Sequence, residues 1–502
     1  MKPAASSHWS NRDFPVAARE LLEDSQIRGN VRHATNVIQA KRDAVTGELP
    51  DWQQLRDAGE AIRAHSLAHL DFYLEQFERA CTQAGGQVHW ARDAAEANQI
   101  ILGLIQRHSV TEVLKIKTMT SEEVGLNPYL EANGIRAHET DLAELIIQLG
   151  KDKPSHFVVP ALHKNRMQVR EIFQREMHLP ELGERPEDLA AAARSYLREK
   201  FFRLKVAVSG ANFLIAENGA VCIVESEGNG RMCLTLPDVL ISLVGIEKVL
   251  PRFRDLEVFL QTLPRSATGE RMNPYNSIWT GVRQGDGPKE FHVVLLDNRR
   301  SPILGDAESR QTLQCIRCAA CLNACPVYHQ TGGHAYESVY AGPIGAILTP
   351  QLHSMEEGRS LPYASSLCGA CYEVCPVKIN IPEVLIHLRG KIVEEDQKTL
   401  RGQLGIWNLG MAAAAMLFAS ASRLSMAQRL GQIAQKIFVN RDGMIEHLPF
   451  PLSGWTQTRD LKPLPKQSFR QWWAERTSPD AASLGDSDRA GQAAGRGGSD
   501  GQ

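Results

Sequence analysis

Between residues 55 and 298 the apolar positions recur with two alternating periods. Residues 75–84 carry the spacing of an amphipathic helix, stopped by Gly85 and Gly86, and residues 88–90 follow as a short strand. Residues 94–107 return to helical period. Residues 113–116 read as a strand, 117–123 as a polar loop, 135–137 as another strand and 141–149 as another helix. Strands and helices alternating at this spacing predict βαβ units and a parallel sheet. Further on, 205–209, 211–216 and 220–225 are strand-like runs broken by Gly210 and Gly219, with Asn218-Gly219 a hairpin signal. Residues 240–250 are largely apolar and fit a strand or a buried helix, and 291–296 reads as the last strand. Residues 315–375 hold two cysteine runs of iron–sulfur spacing, and the helical spacing that resumes over 381–395 favours a helical ferredoxin arrangement over the compact two-sheet type. Residues 402–422 hold no charge but are rich in Ala, Gly and Ser. A helix packed on a partner or on the protein body is expected there rather than a membrane span. Residues 477–502 are Gly, Ser, Asp and Ala without periodicity and read as disordered. The expected organisation is a helical extension over 1–54, an α/β domain over 55–300, a ferredoxin-type domain over 301–395, a helical region over 396–476 and the tail.

Composition narrows the class. The 502 residues exceed a single core, while 43% hydrophobic and 23% charged residues are ordinary for a soluble globular chain. A net charge of −2 makes no electrostatic case for nucleic acid. Residues 1–14 lack the apolar core of a secretory signal, so a cytoplasmic protein is expected, soluble or peripheral to a membrane.

Seven of the ten cysteines carry the chemistry. Cys315, Cys318, Cys321 and Cys325 spell C-x2-C-x2-C-x3-C-P, and Cys368, Cys371 and Cys375 spell C-x2-C-x3-C-P. The first run is an iron–sulfur signature in which the fourth cysteine serves the other cluster. Three thiolates on one tight loop cap three corners of a cubane, and the next cysteine points away. Disulfides would need an oxidising compartment, and zinc ribbons use paired knuckles that fit this spacing poorly. Two [4Fe–4S] clusters are expected, one on Cys315, Cys318, Cys321 and Cys375, the other on Cys325, Cys368 and Cys371. The slot three residues before Cys368 holds Ser365. The second cluster therefore takes Ser365 or an outside cysteine, keeps an open iron, or is [3Fe–4S]. Cys233 is the stray thiol of most interest, although a buried small hydrophobe is the simpler reading. Cys81 and Cys222 read as core.

In the α/β domain three polar segments lie beside strands: 115–123, 210–219 with Glu217, and 227–231 with Arg231. Open α/β sheets bind ligands beyond the carboxyl ends of their strands. Thr120, Ser121, Glu122 and Glu123 equally suit a helix cap with first-turn acids. If the domain binds an anion, the 117–123 and 228–231 loops should meet at one pocket, with Arg231 holding a carboxylate and Glu217 as a base. No G-x-G-x-x-G dinucleotide fingerprint follows a strand.

On CIRCAACLNACP (315–326), GGHAY (332–336), GPIGA (342–346) and LCGAC (367–371), with upstream 117–127 and 210–219, the chain resembles the lactate utilization protein B family, the iron–sulfur subunit of a lactate-utilisation system. The resemblance spans about residues 28–476. It implies an α/β domain akin to the sugar-isomerase and CoA-transferase-like fold, and a role in oxidising L-lactate to pyruvate with electrons passing through the clusters. It also implies a cysteine-rich-domain redox subunit and a small α/β-domain subunit as partners, beside an unspecified electron acceptor. Serine at the eighth slot belongs to the same pattern. The competing readings are a lyase or isomerase using an open iron as a Lewis acid on a hydroxy acid, and a sensor or scaffold without turnover.

Overall fold

The computed structural model describes residues 12–450 and 452–477. The expected tail therefore lies, from residue 478 on, outside the described residues. The chain divides into two compact units at Val393/Glu394.

In the first unit six strands form a parallel sheet: β1 (Gln87–Ala91), β2 (Glu112–Lys115), β3 (Arg136–Glu139), β4 (Val206–Ser209), β7 (Val239–Gly245) and β10 (Glu290–Leu296), in the order β1-β10-β7-β4-β2-β3. Both faces are covered, which is why β4, β7 and β10 are near-continuous apolar runs rather than alternating ones. Val206, Val208, Ile241 and Val294 pack with Ile101 and Leu104 on one face. Ala207, Leu240, Val293 and Leu295 pack with Leu74, Phe77 and Leu145 on the other. Short polar caps set the helix starts: Asp93 accepts from Glu96 N–H, and Asp141 from Ala143 and Glu144 N–H. Residues 240–250 resolve as strand β7, a 3-10 turn (Ile246–Lys248) and β8 (Val249–Leu250).

A second sheet runs β8-β5-β6-β9, with β5 (Phe213–Ile215), β6 (Ala220–Glu225) and β9 (Tyr275–Trp279). β5 and β6 form the hairpin signalled by Asn218-Gly219, with Gly219 at φ 67°. β9 had no sequence signal: it lies half-exposed among polar residues. Phe213, Ile215 and Cys222 of this sheet share one core with the motif cysteines, so the sheet joins the α/β domain to the iron–sulfur region. That region, through the helix Ile381–Gln397, is helical and contains no strand among the described residues. The N-terminal helices α1 (Phe14–Leu21), α2 (Ser25–Gly47) and α3 (Trp52–Ala68) belong to the same unit.

The second unit is helical, with small bridges joining Val439, Ile445 and Leu461. The single helix expected over 402–422 is divided. Helix Ile406–Phe418 stops at Ser420, whose extended backbone caps the next helix, Ala421–Ala434. Met411 and Phe418 are 69% and 71% exposed, so of the two alternatives, packing on a partner or on the protein body, the structure does not show the second. Among the described residues no single helix is long and apolar enough to cross a membrane; one pair, bent by 115°, passes by length and composition together.

Candidate functional site

Two loops bring the motif cysteines together. The first loop leaves a 3-10 turn (Arg310–Gln314) and takes left-handed backbone at Arg317 and Ala319 before the short helix Ala320–Asn323. The second takes it at Leu367 and Gly369 before Ala370–Val374. These turns aim successive thiols inward. Arg317 N–H points at Cys315 Sγ (3.4 Å) and Ile379 N–H at Cys375 Sγ (3.4 Å), the amide–sulfur contacts that stabilise thiolate.

Six of the seven thiols are buried and Cys368 is exposed. Cys318 is influenced by Cys315 and Cys375, whereas Cys371 is influenced by Cys325 and Cys368. Cys321 feels Cys315, Cys318, Cys371 and Cys375. Burial pushes the Cys371 thiol up to about 12 and the Cys375 thiol up to about 11. So many thiols buried together stay protonated, and binding iron would displace their protons and supply the cation that thiolates need there. The donor set fits iron–sulfur ligation. Ser365 is half-buried, and its hydroxyl accepts from Leu367 N–H (3.1 Å). The Tyr336 hydroxyl, fully buried, lies against Cys325. Cys233 is buried beside Thr140, and the charges acting on it are Glu225 and Glu139 rather than the motif cysteines. Cys81 and Cys222 are fully buried, each held up at about 12 by desolvation.

Sequence reading missed the arginines behind these loops. Arg42 donates to Val374 O (3.1 Å), and Arg56 to Cys375 O (2.9 Å) and Tyr372 O (3.0 Å). Arg63, 1% exposed, donates to Gln314 O (3.2 Å), Leu313 O (2.9 Å), Val249 O (3.2 Å) and Glu247 O. Arg56, Gly59 and Arg63 share one face of α3, and a Cβ on Gly59 would stand 3.2 Å from Pro376 O. Arginines on the buried stripe of an amphipathic helix were the available signal.

The strand ends carry the other candidate. Thr118, not Thr120 or Ser121, caps the short helix Met119–Glu123, accepting from Thr120 N–H. Its acids are structural: Lys115 pairs with Glu122 (2.7 Å) and Glu139 (2.6 Å), and Arg300 grips Glu123 with two 2.9 Å bonds. Glu247 links Arg300 to Arg317 (3.3 Å), and the two arginines hold its carboxyl at about 2 against the opposing effect of burial.

Above these pairs lies a cavity of about 230 Å³. Lys117, Thr118, Asn212, Glu225, Glu227 and Asn229 line it, so the 117–123 and 227–231 segments do meet there. Arg231 and Glu217 are not among its lining residues. Arg231 lies over the Tyr275 ring, 5.5 Å from the centroid, and Glu217 accepts from Phe253 N–H (2.7 Å). The amides of Gly230 and Arg231 both donate to Glu225 (2.7 Å each), so that turn already holds an anion of its own chain. Lys248 and Arg317 line the cavity too, and both escaped sequence reading because their neighbourhood is long-range.

Residues 74–296 match the LUD domain model and residues 311–379 the 4Fe-4S dicluster domain model. Lactate utilization protein B of Oceanobacillus iheyensis is 42% identical over 91% of this chain and 94% of its own. Its counterpart in Bacillus subtilis is 42% identical over 92% and 96%. That of an Exiguobacterium species is 43% identical over 92% and 97%. A solved DUF162 family protein of Deinococcus radiodurans matches 45% of the chain at 12% identity with a TM-score of 0.26, too low to bear on the geometry. Identity above 40% along nearly the whole length, with both domains and the iron–sulfur cysteines in order, means that this chain belongs to the lactate utilization protein B family.

Proposed function

We propose that the protein is the iron–sulfur electron-transfer subunit of a multi-protein system oxidising L-lactate to pyruvate. The observation that carries this reading is the gathering of seven motif cysteines on two loops, six of them buried and Cys368 exposed. Cys315, Cys318, Cys321 and Cys375 would hold the first [4Fe–4S] cluster. Cys325, Cys368 and Cys371 would hold the second. Bound clusters supply one-electron chemistry and their potentials follow burial and hydrogen bonds to sulfur. The chain's own contribution is to bury one group behind Arg42, Arg56 and Arg63, to donate amides to Cys315 and Cys375, and to leave Cys368 within reach of a partner. The partners would be a cysteine-rich-domain redox subunit and a small α/β-domain subunit. The expected boundaries, 55–300 for the α/β domain and 301–395 for the two-cluster domain, belong to the same proposal.

Anaerobically purified protein should carry about eight irons, two [4Fe–4S] clusters of the type this motif holds. Lactate should reduce them only when the partner subunits are added. Four irons, or clusters that stay oxidised in the complete mixture, would overturn the reading.

A further inference from the structure

We infer that the cavity beyond the carboxyl ends of the sheet binds a small 2-hydroxy or 2-oxo monocarboxylate, with Lys248 as the group that receives its carboxylate. The inference deepens the proposed function and rests on it for the kind of acid, though not for the existence of the site.

Four observations meet at this point. The first is the position. Residues that follow β2 (Ile116, Lys117, Thr118), β4 (Gly210, Ala211, Asn212) and β7 (Glu247, Lys248) form the walls, where open α/β sheets take their ligands. Gly210 lets the walls come this close, since a Cβ there would stand 2.3 Å from Thr118 Oγ1.

The second is an unpartnered cation. Lys248 is 7% exposed, and its ammonium has no hydrogen-bond or ion-pair partner among the described residues. Its neighbours explain the vacancy in charge. Glu247 is already held by Arg300 and Arg317, and Arg63 is spent on backbone carbonyls. Burial, then repulsion from Arg317, brings Lys248 down to about 7. Glu247 and Cys315 attract the ammonium without bonding it, and an incoming carboxylate would supply the hydrogen-bonded partner that a buried ammonium otherwise lacks.

The third is selectivity by size and charge. A cavity of about 230 Å³ lies below the roughly 300 Å³ at which drug-sized ligand sites begin, which suits a small acid. The amides that would have cradled a phosphate, those of Gly230 and Arg231, are bonded to Glu225. Phe157, Ile223, Leu263 and Pro264 offer an apolar wall for a short hydrocarbon part, and Thr118 and Asn212 offer polar groups for a hydroxyl or oxo oxygen.

The fourth is the neighbour on the other side. Arg317 lines the cavity, sits 4.9 Å from the Tyr340 ring centroid, and its backbone N–H points at Cys315 Sγ. The cationic end of the cavity therefore abuts the first cysteine loop. An acid bound on Lys248 would lie beside the enclosed thiol group, at the opposite end of the relay from exposed Cys368.

The test uses anaerobic, cluster-loaded protein and isothermal titration calorimetry with L-lactate, pyruvate and inorganic phosphate. Saturable binding of lactate or pyruvate is expected, at least tenfold weakened in Lys248→Met and partly restored in Lys248→Arg, with iron content unchanged. Phosphate should not bind. In the unmodified protein, reductive methylation of Lys248, read by mass spectrometry, should fall when the acid saturates. The inference is overturned by absence of saturable binding of both acids, by preference for phosphate, or by Lys248 methylation that ignores the acid. If lactate reduces the clusters in the complete system yet no acid binds this chain, the site falls and the relay stands. If the acid binds and the complete system leaves the clusters oxidised, the relay falls and the site stands.

Discussion

The two cysteine groups share a motif and differ in surroundings. Cys315, Cys318, Cys321 and Cys375 are all buried, and the carbonyls of residues 313, 314, 372, 374 and 375 receive hydrogen bonds from Arg42, Arg56 and Arg63. Around Cys325, Cys368 and Cys371 one thiol is exposed, a serine stands in the eighth slot, and the nearby arginine, Arg389, is only partly buried while donating to Pro362 O (2.9 Å). The same local spacing thus produces a guarded site and an accessible one. The guard comes from α2, which carries Arg42, and α3, which carries Arg56 and Arg63, so helices at the start of the chain brace the cysteine loops.

The sharpest way to break this contrast is Arg63→Met. It strips four carbonyls of their donor, and removing one partner from such a buried charged network costs about 3–5 kcal/mol. The melting temperature should fall by many degrees and iron should be lost first from the four-thiolate cluster. Arg389→Met should cost about 1 kcal/mol or less, because its site is more open. Equal effects from the two variants would remove the contrast.

Next in size is oxygen. Brief exposure to air should convert the three-thiolate cluster to [3Fe–4S] and spare the other. Electron paramagnetic resonance with iron counting reads this directly, and matched loss from both clusters contradicts it. Ser365→Cys should slow that loss, since it supplies a fourth thiolate at the open position. If lactate-driven reduction survives the change, an open iron acting as Lewis acid on a hydroxy acid is no longer tenable.

The smallest effect is expected at Tyr336. Tyr336→Phe removes a hydroxyl facing Cys325 and should shift only the second cluster to a more negative potential, because hydrogen bonds to sulfur favour the reduced state. A redox titration that moves both clusters, or neither, would assign the tyrosine to packing.

What the chain settled by itself is what local spacing can settle. Three cysteines on one loop are a property of seven or eight residues, so the cysteine runs were legible, as was β10, whose apolar run reports burial on both faces, whereas β7 could equally have been a buried helix and β9 gave no signal. The hairpin at Asn218-Gly219 was legible because only a few residue types take its backbone. Which polar residues meet is a different matter. Arg231 and Glu217 had the right chemistry beside strands, yet one stacks on Tyr275 and the other caps a turn at Phe253. Lys248 sits in an apolar stretch that offered no signal, and faces the cavity because β7 ends there in a 3-10 turn. That its ammonium stays unbonded depends on Glu247 being taken by Arg300 and Arg317, 53 and 70 positions from Glu247. Burial and charge balance at a site are sums over neighbours distant in sequence, and only the packed chain decides them.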